Sequence, residues 1–150
     1  MDRFSTEWNK WMRGELPVVT DGNLTASMIR DKNIVLFGDP GSNSVLAKVV
    51  AHLPVEWTKD EIVVQGKRHS TDGHSLSLIF PNPLNPKRYV VINSGHTFHE
   101  RDFKASNSWL FPRLGDGAVL RIEPKAKAGF REEVESAWIF DSNWNFEAEK

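Results

Sequence analysis

The chain has 150 residues, with 19 lysines and arginines against 20 aspartates and glutamates, a formal charge of −1 and no cysteine. That balance offers no global field for nucleic acid or an anionic membrane, and the missing cysteines exclude disulfides, thiol catalysis and cysteine metal sites. No run is long enough for a membrane span, and Met1-Asp2-Arg3 leads into polar sequence rather than a signal peptide's apolar core.

One domain is expected at this length, 1–150, with residues 1–14 as an N-terminal linking helix and 15–150 as the core. Within 3–13, Phe4, Trp8, Trp11 and Met12 fall on one helical face, with Ser5 and Thr6 as candidate caps and Gly14 as the stop. A helix this short is marginal in water unless its stripe packs on something. Two readings stand: the stripe covers an edge of its own domain, or it docks on a neighbour. In the second, exposed Trp8 and Trp11 would drive self-association. Residues 16–19 read as extended, and Thr25 opens a helix through Arg30.

Residues 33–54 organise the rest. Ile34, Val35, Leu36 and Phe37 form an unbroken apolar run, which predicts a strand buried on both faces as in a parallel sheet. Gly38-Asp39-Pro40-Gly41 must turn, and Ser42 or Asn43 can cap the helix that follows. Its apolar face is Val45, Leu46, Val49, Val50 and Leu53, and Pro54 stops it. Strand, glycine turn and capped helix make the first half of a βαβ unit, and the carboxyl end of such a strand is where open α/β sheets hold ligands.

Further strands are predicted at 61–65, 75–80, 89–93, 118–122 and 136–140, with 66–74 as a loop or hairpin connection. The three prolines of 81–86 predict a rigid loop outside any ladder. Residues 97–110 read as a helix with Phe98 and Phe103 inward, and 143–146 as irregular. This order predicts a layered α/β domain, Rossmann- or flavodoxin-like, with a mostly parallel sheet flanked by helices. Some antiparallel pairing is expected between Ile62 and Ile92, where no helix intervenes.

Free amides at 38–43 could hold an anion, although the pattern is neither GxGxxG nor a P-loop. The Gly-Asp-Ser block of SGNH esterases has its nucleophile where this chain has Pro40. The plain alternative is a turn and helix cap. His96, His99 and Glu100 have a metal-like spacing but no visible third strong ligand. If the strands are parallel, His96 shares a sheet edge with Asp39. The candidate binding loop is therefore Asp39, Ser42, Asn43, Asn93 and His96. Ser42 or Ser94 can be assembled with His96 and Asp39 into a triad on paper, yet no G-x-S-x-G elbow exists. Gly66-Lys67-Arg68-His69 is a small basic loop, normally solvated. These patterns imply no catalytic residue, no metal and no cofactor.

The blocks FGDPGSNSVLAKVVAHLPVEW, IFPNPLNPKRYVVINSGHTF, GAVLRIEP and SAWIFDSNW resemble the C-terminal region of large exported bacterial proteins of the prolyl-oligopeptidase-like α/β-hydrolase type. FSTEWNKWMRGELPV is similar to the piece that links that region to the rest, and the likeness covers nearly the whole chain. A weaker likeness joins the first two blocks to surface-layer protein domains. The resemblance implies an accessory domain without the catalytic apparatus, whose partner is a catalytic domain of the same polypeptide in the periplasm or outside the cell. No family catalytic residue carries over. Asp39, Ser42, Asn43, Asn82, Asn85, Asn93 and His96 lie in the matching blocks without an assigned role.

Overall fold

The computed structural model describes residues 1–94, 114–125 and 129–147. The chain opens with helices α1 (Asp2–Met12) and α2 (Ala26–Asp31), strand β1 (Ile34–Leu36) and helix α3 (Ser44–Val49). Thr25 caps α2 by accepting a bond from the Met28 amide at 3.3 Å. α1 ends one residue ahead of Gly14, because Arg13 itself turns left-handed at φ 54°. Phe4 of α1 is buried, its ring edge-on to Phe37 at 5.2 Å, while Trp8 and Trp11 stay half-buried. The aromatic stripe is thus covered in part by its own domain.

The strands that follow are β2 (Glu56–Trp57), β3 (Glu61–Val64), β4 (Lys67–Ser70), β5 (His74–Asn82), β6 (Asn85–Asn93), β7 (Gly117–Lys125) and β8 (Gly129–Trp138). They form a five-stranded sheet, ordered β1-β6-β5-β7-β8, and a three-stranded sheet, ordered β2-β3-β4. Among the described strands, only β1 and β6 pair in parallel, and every other pair is antiparallel. This overturns the expected helix-flanked, mostly parallel, Rossmann- or flavodoxin-like sheet. The physical reason lies in the connections. β3–β4, β5–β6 and β7–β8 are joined by short links, and a short link can only make antiparallel neighbours.

Three local expectations change with it. Among the described strands β1 lies at the edge of the large sheet, and its apolar run is buried on one face only, Leu36 being buried and Val35 39% exposed. The basic stretch at 66–74 is largely strand β4, entered through Gln65 (φ 49°) and Gly66 (φ 79°). Two successive left-handed residues are the tight hairpin geometry that matches sheet twist. The proline-rich stretch at 81–86 belongs to a ladder, with Pro81 opposite Tyr89 and Asn82 opposite Asn85 across a bulge. Prolines are tolerated there because β7 pairs β5 only from His74 to Leu78, and β1 pairs β6 only from Val90 to Ile92. Pro81 and Pro86 therefore lie where each strand has one open side. The expected helix at 97–110 lies outside the described residues.

The core follows from register. Leu78 faces Ile92, Phe80 faces Val90, Leu76 faces Val119, and Leu36 faces Ile92 from the parallel side. One face of the five-stranded sheet is therefore apolar, and Leu46 and Val49 of α3, Trp57 of β2, and Ile62 and Val64 of β3 pack against it. Burial of each such aliphatic side chain contributes about 1.5–3 kcal/mol. The tail is ordered rather than loose. Asp141 accepts from the amides of Asn143 and Asn145 at 2.8 and 2.9 Å, returning Phe146 to Phe140 with ring centroids 5.1 Å apart.

Candidate functional site

Because β1 and β6 are parallel, their carboxyl ends open on one side, and the turn at 38–43 meets Asn93 and Ser94 there. Gly38 needs its φ of 100°, and a Cβ on it would press on Ser42 Oγ at 2.7 Å. Asp39 closes the turn on itself. Its Oδ1 accepts from the Gly41 amide at 2.7 Å and the Ser42 amide at 3.1 Å, and its Oδ2 takes the Ser42 hydroxyl at 2.9 Å. The Asn43 amide bonds the Asp39 carbonyl at 3.0 Å. Asn43 Oδ1 then accepts from Val45 and Leu46, both at 3.0 Å, while its Nδ2 donates to the Phe37 carbonyl. Ser44 donates its amide to Asp21 at 2.8 Å, and its hydrogen bonding is the chief cause holding the Asp21 carboxyl below its ordinary range.

Every amide from Gly41 to Leu46 is therefore already bonded within the chain, two of the acceptors being carboxylates. An incoming anion would have to displace them. Asn43→Ala removes three bonds at once and is expected to lower stability by about 1–2 kcal/mol, readable in urea unfolding. A loss under about 0.3 kcal/mol would mean that the cap contributes nothing.

The sequence candidates separate in space. Asp39 and Asn93 line one cleft of about 870 Å³, together with Phe37, Trp57, His74 and Ser94. That volume falls in the roughly 300–1,000 Å³ range of ligand pockets. Ser42 is turned onto Asp39, Asn43 is turned inward as a cap, and His96 lies outside the described residues. The Ser94 hydroxyl donates to the Gly38 carbonyl. The paired asparagines of the proline-rich hairpin serve the backbone. Asn82 accepts from Leu84 at 2.9 Å, and Asn85 donates to the carbonyls of Ile29 and Arg30 at the end of α2, both at 3.1 Å.

A second cluster adjoins the cleft. His69 pairs with fully buried Ile62 across β3–β4, so it points from the small sheet toward the core. His74 stands two residues before Leu76 on the apolar face of β5, so it points back. Between Val119 and Leu120 the β7–β8 register slips, with Ser136 and Val134 as successive partners, and Glu135 is the extra residue. Bulges re-aim side chains in this way. Glu135 Oε1 lies 2.9 Å from His69 Nδ1 and Oε2 lies 2.8 Å from His74 Nε2. The Glu135 carboxyl is held below its ordinary range chiefly by the His74 hydrogen bond, with His69 adding to it and desolvation opposing both. Two imidazoles and a carboxylate form a donor set that suits a divalent transition metal.

Reading residues 66–74 as loop concealed this cluster. The alternation in Ser75-Leu76-Ser77-Leu78 would put His74 on the core face if carried back one residue, but His74 falls in the stretch expected as a loop or hairpin connection. Nothing in the sequence marks Glu135, because its position depends on the bulge. No protein-family model, curated protein or solved structure matches this chain.

Proposed function

We propose that this chain is a non-catalytic module that binds a ligand in the cleft at the carboxyl ends of β1 and β6, and that it serves as an accessory domain of a larger, exported hydrolase-like protein. The observation that carries the non-catalytic reading is the state of the serine hydroxyls at and beside the cleft. Ser42 is committed to Asp39 and Ser94 to the Gly38 carbonyl, Ser75 Oγ is buried with no partner, and no serine hydroxyl bonds a histidine among the described residues. An activated nucleophile needs a base within hydrogen-bond reach. The aromatic walls Phe37 and Trp57, with Asp39, His74 and Asn93 between them, give the mix of apolar surface and few polar groups that ligand clefts use. The parent protein rests on the sequence blocks that resemble the exported hydrolase type.

The test is hydrolysis of p-nitrophenyl esters and short peptides by the purified chain. No turnover above buffer is expected. Turnover that survives purification and disappears in Ser42→Ala or Ser94→Ala would establish the competing reading, a small hydrolase using the 38–43 loop and His96.

A further inference from the structure

We propose that His69, His74 and Glu135 form a binding site for one divalent transition-metal ion, which pins β4 of the small sheet to β5 and β8 of the large one at the edge of the cleft. His74 Nδ1 lies 2.7 Å from the Ser70 carbonyl, which can only accept, so Nδ1 carries the hydrogen. In the neutral ring Nε2 is then a bare lone pair. It faces Glu135 Oε2, another acceptor, at 2.8 Å. At that distance the cation that joins the two lone pairs is a proton, which a metal ion can replace once the two ligands spread apart. A backbone carbonyl on Nδ1 with Nε2 left to bind is the arrangement by which metal-ligating histidines are oriented.

His69 adds a second, independent observation. Its side chain is 7% exposed, and its Nε2 is buried with no hydrogen-bond partner. Nδ1, the ring nitrogen turned to Glu135, is therefore the atom available to the ion, and Nε2 then carries the ring's hydrogen. The three ligand atoms already lie within 4.8 Å of one another. Ligands on a tetrahedral ion at about 2.0–2.2 Å stand roughly 3.3–3.6 Å apart, so each His–Glu pair must spread by about half an ångström, and a pair as wide as 4.8 Å must close by roughly 1.2–1.5 Å. The neighbouring cation does not oppose the ion, because Arg121 is paired with Glu133 at 2.5 Å and Glu123 at 3.3 Å. Two histidines and one glutamate leave a fourth position. His74 lines the cleft, so a water or a donor atom of the cleft's ligand can fill that position.

The probe is Zn²⁺ titrated into the chelator-stripped chain by calorimetry, with Co²⁺ substituted for spectroscopy. One ion per chain is expected, with Co²⁺ giving a visible absorption band and X-ray absorption counting two imidazoles. Free Zn²⁺ at 100 times Kd should raise Tm by roughly 5–10 °C. His74→Gln and the near-isosteric Glu135→Gln should each weaken binding by more than about 100-fold, beyond the loss that outer-shell changes cause. Their metal-free circular dichroism and unfolding will show that the variants are folded. His96→Gln and His99→Gln should leave binding unchanged. No saturable Zn²⁺ binding below about 100 μM overturns the site. So does binding that survives His74→Gln and Glu135→Gln and disappears in the other pair. Zn²⁺-dependent ester hydrolysis lost in His74→Gln would uphold the site while sinking the non-catalytic reading above.

Discussion

Leu76→Ala is expected to remove about 2–5 kcal/mol of folding stability, a large part of the roughly 5–15 kcal/mol that domains of this size possess. Leu76 is fully buried near the start of β5, which is itself the middle strand of the large sheet. It faces Val119 of β7 and shares its cluster with Leu46 of α3 and Ile62 of β3, so truncation opens a cavity where three layers of side chains meet. Val35→Ala on edge strand β1 should cost under about 1 kcal/mol, because that side chain already meets water. The pair discriminates between architectures. In a parallel sheet covered on both faces the two substitutions would be comparably severe. Urea unfolding of both variants reads the difference, and equal losses would contradict the edge position of β1.

Gly117→Ala is the second large effect, expected to cost about 1–3 kcal/mol by overpacking. Gly117 opens β7 directly opposite Trp138 at the end of β8. A Cβ there would fall inside the indole, with Nε1 at 2.7 Å and two ring carbons closer still. The indole has little room to withdraw, since Trp138 is 9% exposed and its ring lies 6.0 Å from that of Phe146. The clash is specific, so it should be relieved by shortening the partner. Trp138→Phe alone is expected to destabilise, yet in the double variant it should recover part of the Gly117→Ala loss. Strict additivity in thermal or urea unfolding would show that the indole does not rest on Gly117.

These two contrasts mark where sequence reasoning reached and where it stopped. The caps at Thr25 and Asn43 were legible because capping is local: a short polar side chain bonds amides two or three residues on. The parallel β1–β6 pair was legible only as a condition, because four strands lie between the two along the chain. The fold class was not legible. A four-residue apolar run signals burial without saying whether one face or both are covered, and β1 became an edge strand. Proline was read as a ladder breaker, but its effect depends on whether a neighbour occupies the side its missing N–H would have faced. That was decided by how far β1 and β7 extend.

The same division runs through the sites. The sequence by itself determined the self-closing loop at 38–43, whose Asp, Ser and Asn lie within hydrogen-bond reach of one another's backbone. The alternation of Ser75-Leu76-Ser77-Leu78 also marks the core face of β5, whereas His74, expected in a loop or hairpin connection, is placed on that face by the fold. Only the tertiary structure brought in Asp21, 23 residues away from Ser44, to take the Ser44 amide beside that loop. Only the tertiary structure, too, brought His69, His74 and Glu135 together. Glu135 lies 61 residues from His74 along the chain, and a bulge one residue long turns its carboxylate toward the two rings. Bonds that span such distances depend on register and sheet order, which short-range sequence patterns do not encode.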